Sequence, residues 1–423
     1  MKYFKQAKIE DQDFKGYKNL VPKQYEEVIK LSENFSKPKI IHINTAFGSG
    51  GVAEILKCLV PLERSLGLES EWLIMQGTPE FFNVTKKIHN LLQGKEGSLS
   101  EDEKQTYLSY TKKASEELMK YLDKSSGEQI VILHDPQPLP MIMEIPDTIP
   151  VISRLHIDIT NENKELGQLL KPFTDRAKKI IVSDKKFIAD WIQADKVLIS
   201  LPATDPFNEK NKLISKEDAS VILKKIGIDT ERPLVSQISR FDPWKDPEGV
   251  IEAYLAARKK IKGLQLVLAG LIVAEDDPEA QGIYDELKDK YGDDHDIHLY
   301  GEKTPPGGIE NEEFINALQT GSDVVVQKSL REGFGLTVTE ALWKGQPVIG
   351  GNVGGIKKQI VDGENGFLVS SPEECAERIV ELISKLEEKE RMGKNAKETV
   401  KNEFLMSRLI LDHFKVYDEL LKK

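Results

Sequence analysis

Glu332 and Glu340 flank a glycine-rich turn in SLREGFGLTVTEAL, residues 329–342. The turn opens a helix-patterned stretch, and the free N–H groups of a helix start attract anions. Two carboxylates beside an anion site suit a ligand of mixed character. A central diphosphate with hydroxyls at both ends has that character: one glutamate accepts hydrogen bonds from a sugar, the other from a ribose, and backbone amides hold the phosphates between. The plainer readings are a helix-dipole partner for Glu340 and a solvated loop acid for Glu332. Upstream, ISRFDPWKDPEG (238–249) places Arg240 and Lys245 in a proline-punctuated loop after an apolar run. Alone they read equally well as surface charges beside Asp242 and Asp246. Paired with the glycine turn they read as a diphosphate clamp, the guanidinium bidentate and the ammonium a point charge. The ligand so described has the shape of a sugar nucleotide.

Other polar clusters share the same kind of position. NTAFGSGGVAE (44–54) sets Gly48, Gly50 and Gly51 between a strand pattern and a helix pattern, where backbone can approach a ligand. The spacing is not the G-x-G-x-x-G of a dinucleotide site, and no acidic residue ends the next strand to hold a ribose. His156 closes the apolar run PVISRLH. His134 and Asp135 close QIVILHD, where Asp135-Pro136 also suits a turn. His89, Asn90 and Gln93 in IHNLLQG carry groups that both donate and accept, as a free sugar requires, or else cap a helix.

The elements that must position these groups are legible as alternation. KIIHIN, EWLIM, QIVILHD, PVISRLH, AKKIIVS and KVLIS form one series of short apolar runs; PLVSQIS, LQLVLAG, IHLYG, SDVVVQKS and QPVIGG form a second. Helix-period stretches such as GVAEILKCLVPLERSLG separate them, which predicts parallel, doubly wound α/β sheets with ligands outside the strands' carboxyl ends. LPATDPFNEK (201–210) reads as an interdomain linker. The expected organisation is an N-terminal domain over 1–205, a C-terminal domain over 206–400, and a last helix over 401–423 that can pack back on the first domain. The 423 residues suit two cores. With 39% hydrophobic residues, 30% charged residues and a net charge of −11, the chain is a globular acidic protein rather than one built for nucleic acid or anionic membranes. Cys58 and Cys375 form no disulfide framework or zinc motif. The start of the chain has no signal-peptide pattern and no run is long enough to span a bilayer, so a cytoplasmic location is expected. The acidic pairs Asp276-Asp277 and Asp293-Asp294 read as solvated loops rather than metal ligands.

E-x7-E in this strand–turn–helix context, with R-x4-K upstream, resembles the family-four retaining glycosyltransferases. INTAFGSGGVAEILKCLVPLERSLGLESEWLIMQG, FFNVTKKIHNLLQG, LHDPQPLP, SRLHIDI, SRFDPWKDP and QKSLREGFGLTVTEALWKGQPVIGGNVGGI, covering most of 41–370, resemble in particular the trehalose glycosyltransferring synthases. The resemblance implies a GT-B fold, two Rossmann-like domains with the active site between them. It implies transfer of glucose from a nucleoside diphosphate glucose, UDP- or ADP-linked, to free glucose, reversibly and with retention. By position, Glu332 would contact the donor glucose and Glu340 the ribose hydroxyls. Arg240 and Lys245 would stabilise the departing diphosphate, with His156 near the reaction centre. Gly333, Phe334, Gly335, Leu336 and Thr337 would line the donor, and Gly50 and Gly51 would approach it from the other domain. His89, Asn90, Gln93, His134 and Asp135 would serve the acceptor. No cofactor or metal is required on this reading, magnesium acting, if at all, through the free nucleotide. Partners are the nucleotide-glucose donor and glucose or trehalose, with no nucleic acid and no membrane; a homodimer is one candidate oligomer. A phosphate-dependent trehalose phosphorylase is the nearest rival, and a non-catalytic sugar-nucleotide sensor a more distant one. Residues 272–279 and 299–303 are candidate loops beside the nucleobase.

Overall fold

KIIHIN is buried at every position but its first, and VVVQ at all four. Such runs pack on both faces, which is the condition of a parallel sheet covered by helices. The computed structural model describes residues 1–422 other than 49, 123–127, 161–162, 271–277 and 302–305. Asp276, Asp277 and most of the two nucleobase-side stretches lie outside these described residues. The chain divides into one unit of Met1–Pro202 with Met406–Lys423 and a second of Ala203–Leu405.

The first unit contains strands β1 (Phe4–Gln6), β2 (Lys39–Asn44), β3 (Glu69–Met75), β4 (Gln129–His134), β5 (Val151–Arg154), β6 (Lys179–Val182) and β7 (Val197–Ile199). Their order is β1-β3-β2-β4-β5-β6-β7, and only the β1–β3 pairing is antiparallel. The chain moves from β2 to β3 on one side, then returns to place β4 on the other side of β2. The topological switch point therefore lies between β2 and β4, beside the loops that carry Gly50 and Asp135. Edge strand β1 has no sequence signature; three residues are too few for a period, and it is fixed by Phe4 burying itself opposite Met75.

The second unit contains β8 (Leu234–Ile238), β9 (Gln265–Ala269), β10 (Ile297–Tyr300), β11 (Val324–Gln327), β12 (Val348–Gly351) and β13 (Gly366–Val369), all parallel, in the order β10-β9-β8-β11-β12-β13. Here the switch point falls between β8 and β11. The loops after these two strands carry Arg240 and Lys245 on one side and Glu332 on the other.

Two segments at the junctions of the units stand out. The change from the first unit to the second falls within LPATDPFNEK, whose Ala203, Thr204 and Asp205 are buried in the second unit, Thr204 pairing with Leu405 in an isolated bridge. The helix Met406–Leu421 belongs to the first unit and packs against the helices Pro22–Ser32 and Gly51–Ser65. Its buried Phe414 meets Phe35 edge-on, ring centroids 5.2 Å apart. Truncating such a buried aromatic costs about 3–5 kcal/mol through lost burial and the cavity left behind. Phe414→Ala should therefore lower protection from hydrogen exchange across 17–65 and 406–422 while leaving the strands of 234–369 unchanged. Equal loss in both regions would contradict the assignment of this helix to the first unit.

Candidate active site

In the second unit the two switch-point loops are laced together. Asp242 caps the turn after β8, its Oδ1 accepting from the Trp244 amide at 2.8 Å, and Oδ2 lies 3.0 Å from Arg240 Nη2. The Trp244 carbonyl accepts from the Leu330 amide at 2.8 Å, and the Arg331 guanidinium lies over the Trp244 ring. Asp246, in a left-handed conformation at φ +51°, caps the following helix and forms an ion pair with Lys328. The consequence is a part-buried ion pair between Lys245 Nζ and Glu332 Oε2 at 2.6 Å, which no local pattern reveals across that sequence separation. Ser329 Oγ donates to the same carboxylate oxygen at 3.3 Å. Oε1 of Glu332 has no hydrogen-bond partner among the described residues. Lys245 is thus held in place, with further N–H donors available, on the same loop as an Arg240 side chain that is 57% exposed.

The turn itself is shaped by its glycines. Gly335 adopts φ +84° as the residue before the helix Leu336–Trp343, which has no side-chain cap on its first amides. Gly354, at φ +41° in the loop after β12, lies so close to Glu332 that an added Cβ would sit 1.8 Å from the Glu332 carbonyl oxygen. The Gly355 amide donates to that same oxygen at 3.1 Å. Phe334 is buried and its carbonyl accepts from Gln359 at 2.6 Å; Gly333, Leu336 and Thr337 stay partly exposed.

Glu340 sits elsewhere in character. It is 2% exposed, with Oε1 2.7 Å from Lys210 Nζ and Oε2 accepting from Gln319 at 3.4 Å. Lys344 hydrogen-bonds the other end of Gln319 at 2.7 Å, and burial pulls its pKa down to about 7 against the attraction of Glu340. The sequence separates Glu332 and Glu340 by only seven residues, yet the structure gives one an open oxygen and the other an internal ion pair.

In the first unit Gly50 adopts φ +100° and precedes the uncapped helix Gly51–Ser65, with open space where a Cβ would lie. Asp135 is left-handed at φ +64°, and its Oδ1 accepts from the His156 amide at 2.7 Å. Burial raises the Asp135 pKa to about 6, against that hydrogen bond. His134 is buried with both ring nitrogens engaged, Nδ1 to His156 Nε2 at 2.9 Å and Nε2 to His42 Nδ1 at 3.0 Å. The acceptor-facing role expected of His134 does not suit a ring with no free nitrogen; it supports His156 instead, whose own ring is only partly buried. His89, Asn90 and Gln93 lie at the end of the helix Pro79–Leu92, which is tied by its Leu91 carbonyl to the amide of Asn163, in the segment after β5. Sequence reading overlooked His42 and Glu63, polar residues inside apolar patterns, and Lys210, which fell in the supposed linker. A histidine in the middle of a strand buried on both faces was the available signal. Among the described residues no cluster of three or more His, Cys, Asp or Glu is arranged to hold a metal, and no helix is long and apolar enough to cross a membrane.

Comparison with known proteins places this geometry. Residues 42–189 match the family model described as trehalose synthase, N-terminal domain, and residues 218–399 match that of glycosyl transferases group 1. The chain is 40% identical to a trehalose synthase of Pyrococcus horikoshii over 98% of this chain and 96% of that one. It is 26% identical to a trehalose phosphorylase of Pleurotus pulmonarius over 81% of this chain and 52% of the other. Among solved structures, Anabaena HepE in complex with UDP-glucose superposes with a TM-score of 0.61 at 17% identity, covering 90% of this chain and all of that one, a likeness of fold. With GT-B architecture and 40% identity over nearly the full length, the chain belongs to the trehalose synthase family of glycosyltransferases and is a trehalose-forming hexosyltransferase.

Proposed function

We propose that the enzyme transfers glucose from a nucleoside diphosphate glucose, UDP- or ADP-linked, to free glucose, forming an α,α-1,1 bond with retention. The observation that carries this reading is the Lys245–Glu332 pair beside Arg240 at the second unit's switch point. Lys245 and Arg240 supply fixed positive charge where a diphosphate would depart, and preorganised charge acts most strongly there. The first amides of the helix Leu336–Trp343 add donors to the same anion. Glu332 uses one oxygen to fix Lys245 and keeps the other for a sugar hydroxyl.

Retaining glycosidases place two carboxylates about 5 Å apart so that one attacks the sugar. Glu332 and Glu340 have unlike surroundings, and Glu340 is covered, so no such pair is invoked. In the proposed step the bond from the glucose C1 to the phosphate oxygen breaks. A bond from C1 to the acceptor oxygen forms on the same face, and the acceptor's hydroxyl proton passes to the departing phosphate. Neutralisation comes from the side chains, so that no metal is required. The partial, more distant likeness to trehalose phosphorylase keeps phosphate as the competing co-substrate.

The reaction is tested by incubating UDP-, ADP- and GDP-glucose with glucose, and trehalose with inorganic phosphate. Trehalose should form with at least one nucleotide donor. Glucose 1-phosphate released from trehalose by phosphate alone would overturn the proposal. Arg240→Ala, on an exposed side chain, should lower kcat by about 10²–10³-fold without unfolding the protein; an unchanged rate would remove the diphosphate role.

The ribose contact proposed for Glu340 requires its carboxylate to exchange partners, since Lys210 and Gln319 already hold it. Glu340→Gln should raise the KM for the nucleotide donor by about tenfold or more, alongside a loss of stability of about 3–5 kcal/mol from stranding Lys210. A stability loss with unchanged KM would make Glu340 an anchor only. Gly354→Ala should displace the Glu332 backbone and lower kcat/KM by about tenfold or more while far-ultraviolet circular dichroism stays native; full activity would show that this close approach is dispensable.

A further inference from the structure

Glu63 is a fully buried carboxylate on the helix Gly51–Ser65, and three donors converge on it. Ser70 Oγ lies 2.5 Å and His42 Nε2 3.0 Å from Oε2, and Tyr417 OH donates to Oε1 at 2.8 Å. From His42 the contacts run on without interruption: His42 Nδ1 to His134 Nε2 at 3.0 Å, then His134 Nδ1 to His156 Nε2 at 2.9 Å. The His156 ring is the first in this line to be only partly buried, and its Nδ1 has no hydrogen-bond partner among the described residues.

We propose that Glu63, His42 and His134 are positioning residues that fix the tautomer of His156, so that its ring meets the ligand with an unprotonated Nδ1. The argument is one of proton counting. Both Glu63 oxygens act as acceptors, Oε2 from Ser70 and Oε1 from Tyr417, so His42 carries its proton on Nε2. A neutral imidazole has one donor and one acceptor, so His42 Nδ1 accepts, and His134 must donate from Nε2. The same rule leaves His134 Nδ1 an acceptor, requires His156 to donate from Nε2, and leaves His156 Nδ1 bare. With His42 neutral, the reverse direction would set a lone pair of its ring against the carboxylate. Burial holds His134 and His156 well below the ordinary imidazole range, and the Arg154 charge adds to the effect at both, so each ring keeps a single proton. A second branch obeys the same direction. The Tyr417 hydroxyl donates to Glu63, and its oxygen lies 3.1 Å from His413 Nδ1, which therefore carries the proton. Asp135 completes the support by holding the His156 backbone amide.

A bare Nδ1 selects a ligand that presents an O–H or N–H donor. On the glucosyl-transfer reading, on which this part rests, that donor is a sugar hydroxyl. The tautomer itself is read without any substrate, so its failure is distinguishable from failure of that reading.

The test is long-range 1H–15N spectroscopy of the full chain labelled at the histidine ring nitrogens. The His156 signals are assigned by their loss in His156→Asn. Expected in the unmutated protein is a single His156 tautomer, pyrrole-type at Nε2 and pyridine-type at Nδ1, with 15N–15N couplings across both histidine–histidine hydrogen bonds. Glu63→Gln keeps the shape but supplies an amide that donates as readily as it accepts. It should convert the His156 signals to an averaged mixture and lower kcat/KM by about tenfold. Tyr417→Phe, which removes a donor to Glu63 but leaves the chain intact, should keep the single tautomer. A protonated Nδ1 in the unmutated protein would overturn the proposal whatever the variants do, and so would His156 signals identical in the unmutated protein and a folded Glu63→Gln.

Discussion

A parallel sheet covered on both faces leaves its chemistry only one place to go. Every backbone group inside such a sheet is paired along the ladder, and its side chains face helices. Reactive polar groups are therefore displaced to the loops beyond the strands' carboxyl ends, and they come closest together where the winding reverses. In the second unit that reversal makes β8 and β11 neighbours, and their loops share hydrogen bonds from Leu330 to Trp244. The Lys245–Glu332 pair follows from strand order as much as from residue type.

The two glutamates of the glycine turn show how little the residue name decides. Glu332 lies in the loop, anchored through one oxygen and open at the other. Glu340 lies one helical stretch later on the face turned inward, where its charge is matched by Lys210 and tempered by Gln319 and Lys344. A buried charge with an internal partner holds a helix in place; an edge charge with a spare lone pair can meet a ligand. The first unit repeats the division, with Glu63 internal and His156 at the edge.

Much of this was legible in the amino-acid sequence. Alternating apolar runs and helix periods give the two doubly wound units, and the glycine turn with Arg240 and Lys245 marks the loops that matter. What local reading lacks is strand order, so the closeness of Lys245 to Glu332 is invisible to it. Polar residues inside apolar patterns are equally hard to weigh, because one histidine in KIIHIN or one glutamate in LVPLERS departs little from the period. Their meaning emerges only when His42, Glu63, His134 and His156 are brought into line. LPATDPFNEK, where the chain changes unit, shows what such a stretch does not reveal, its burial. Prolines and polar residues mark irregular backbone, and irregular backbone can still be buried when, like the Thr204 amide donating to the Phe404 carbonyl, it finds hydrogen-bond partners.

The helix Met406–Leu421 joins the first unit after the whole second unit has been threaded between. During synthesis from the N-terminus, the sheet that bears His134 and His156 is made long before Tyr417 and His413 exist. Glu63 must wait for its Tyr417 donor until the whole second unit has been synthesised. The first unit to be begun is thus completed only after the second has been made.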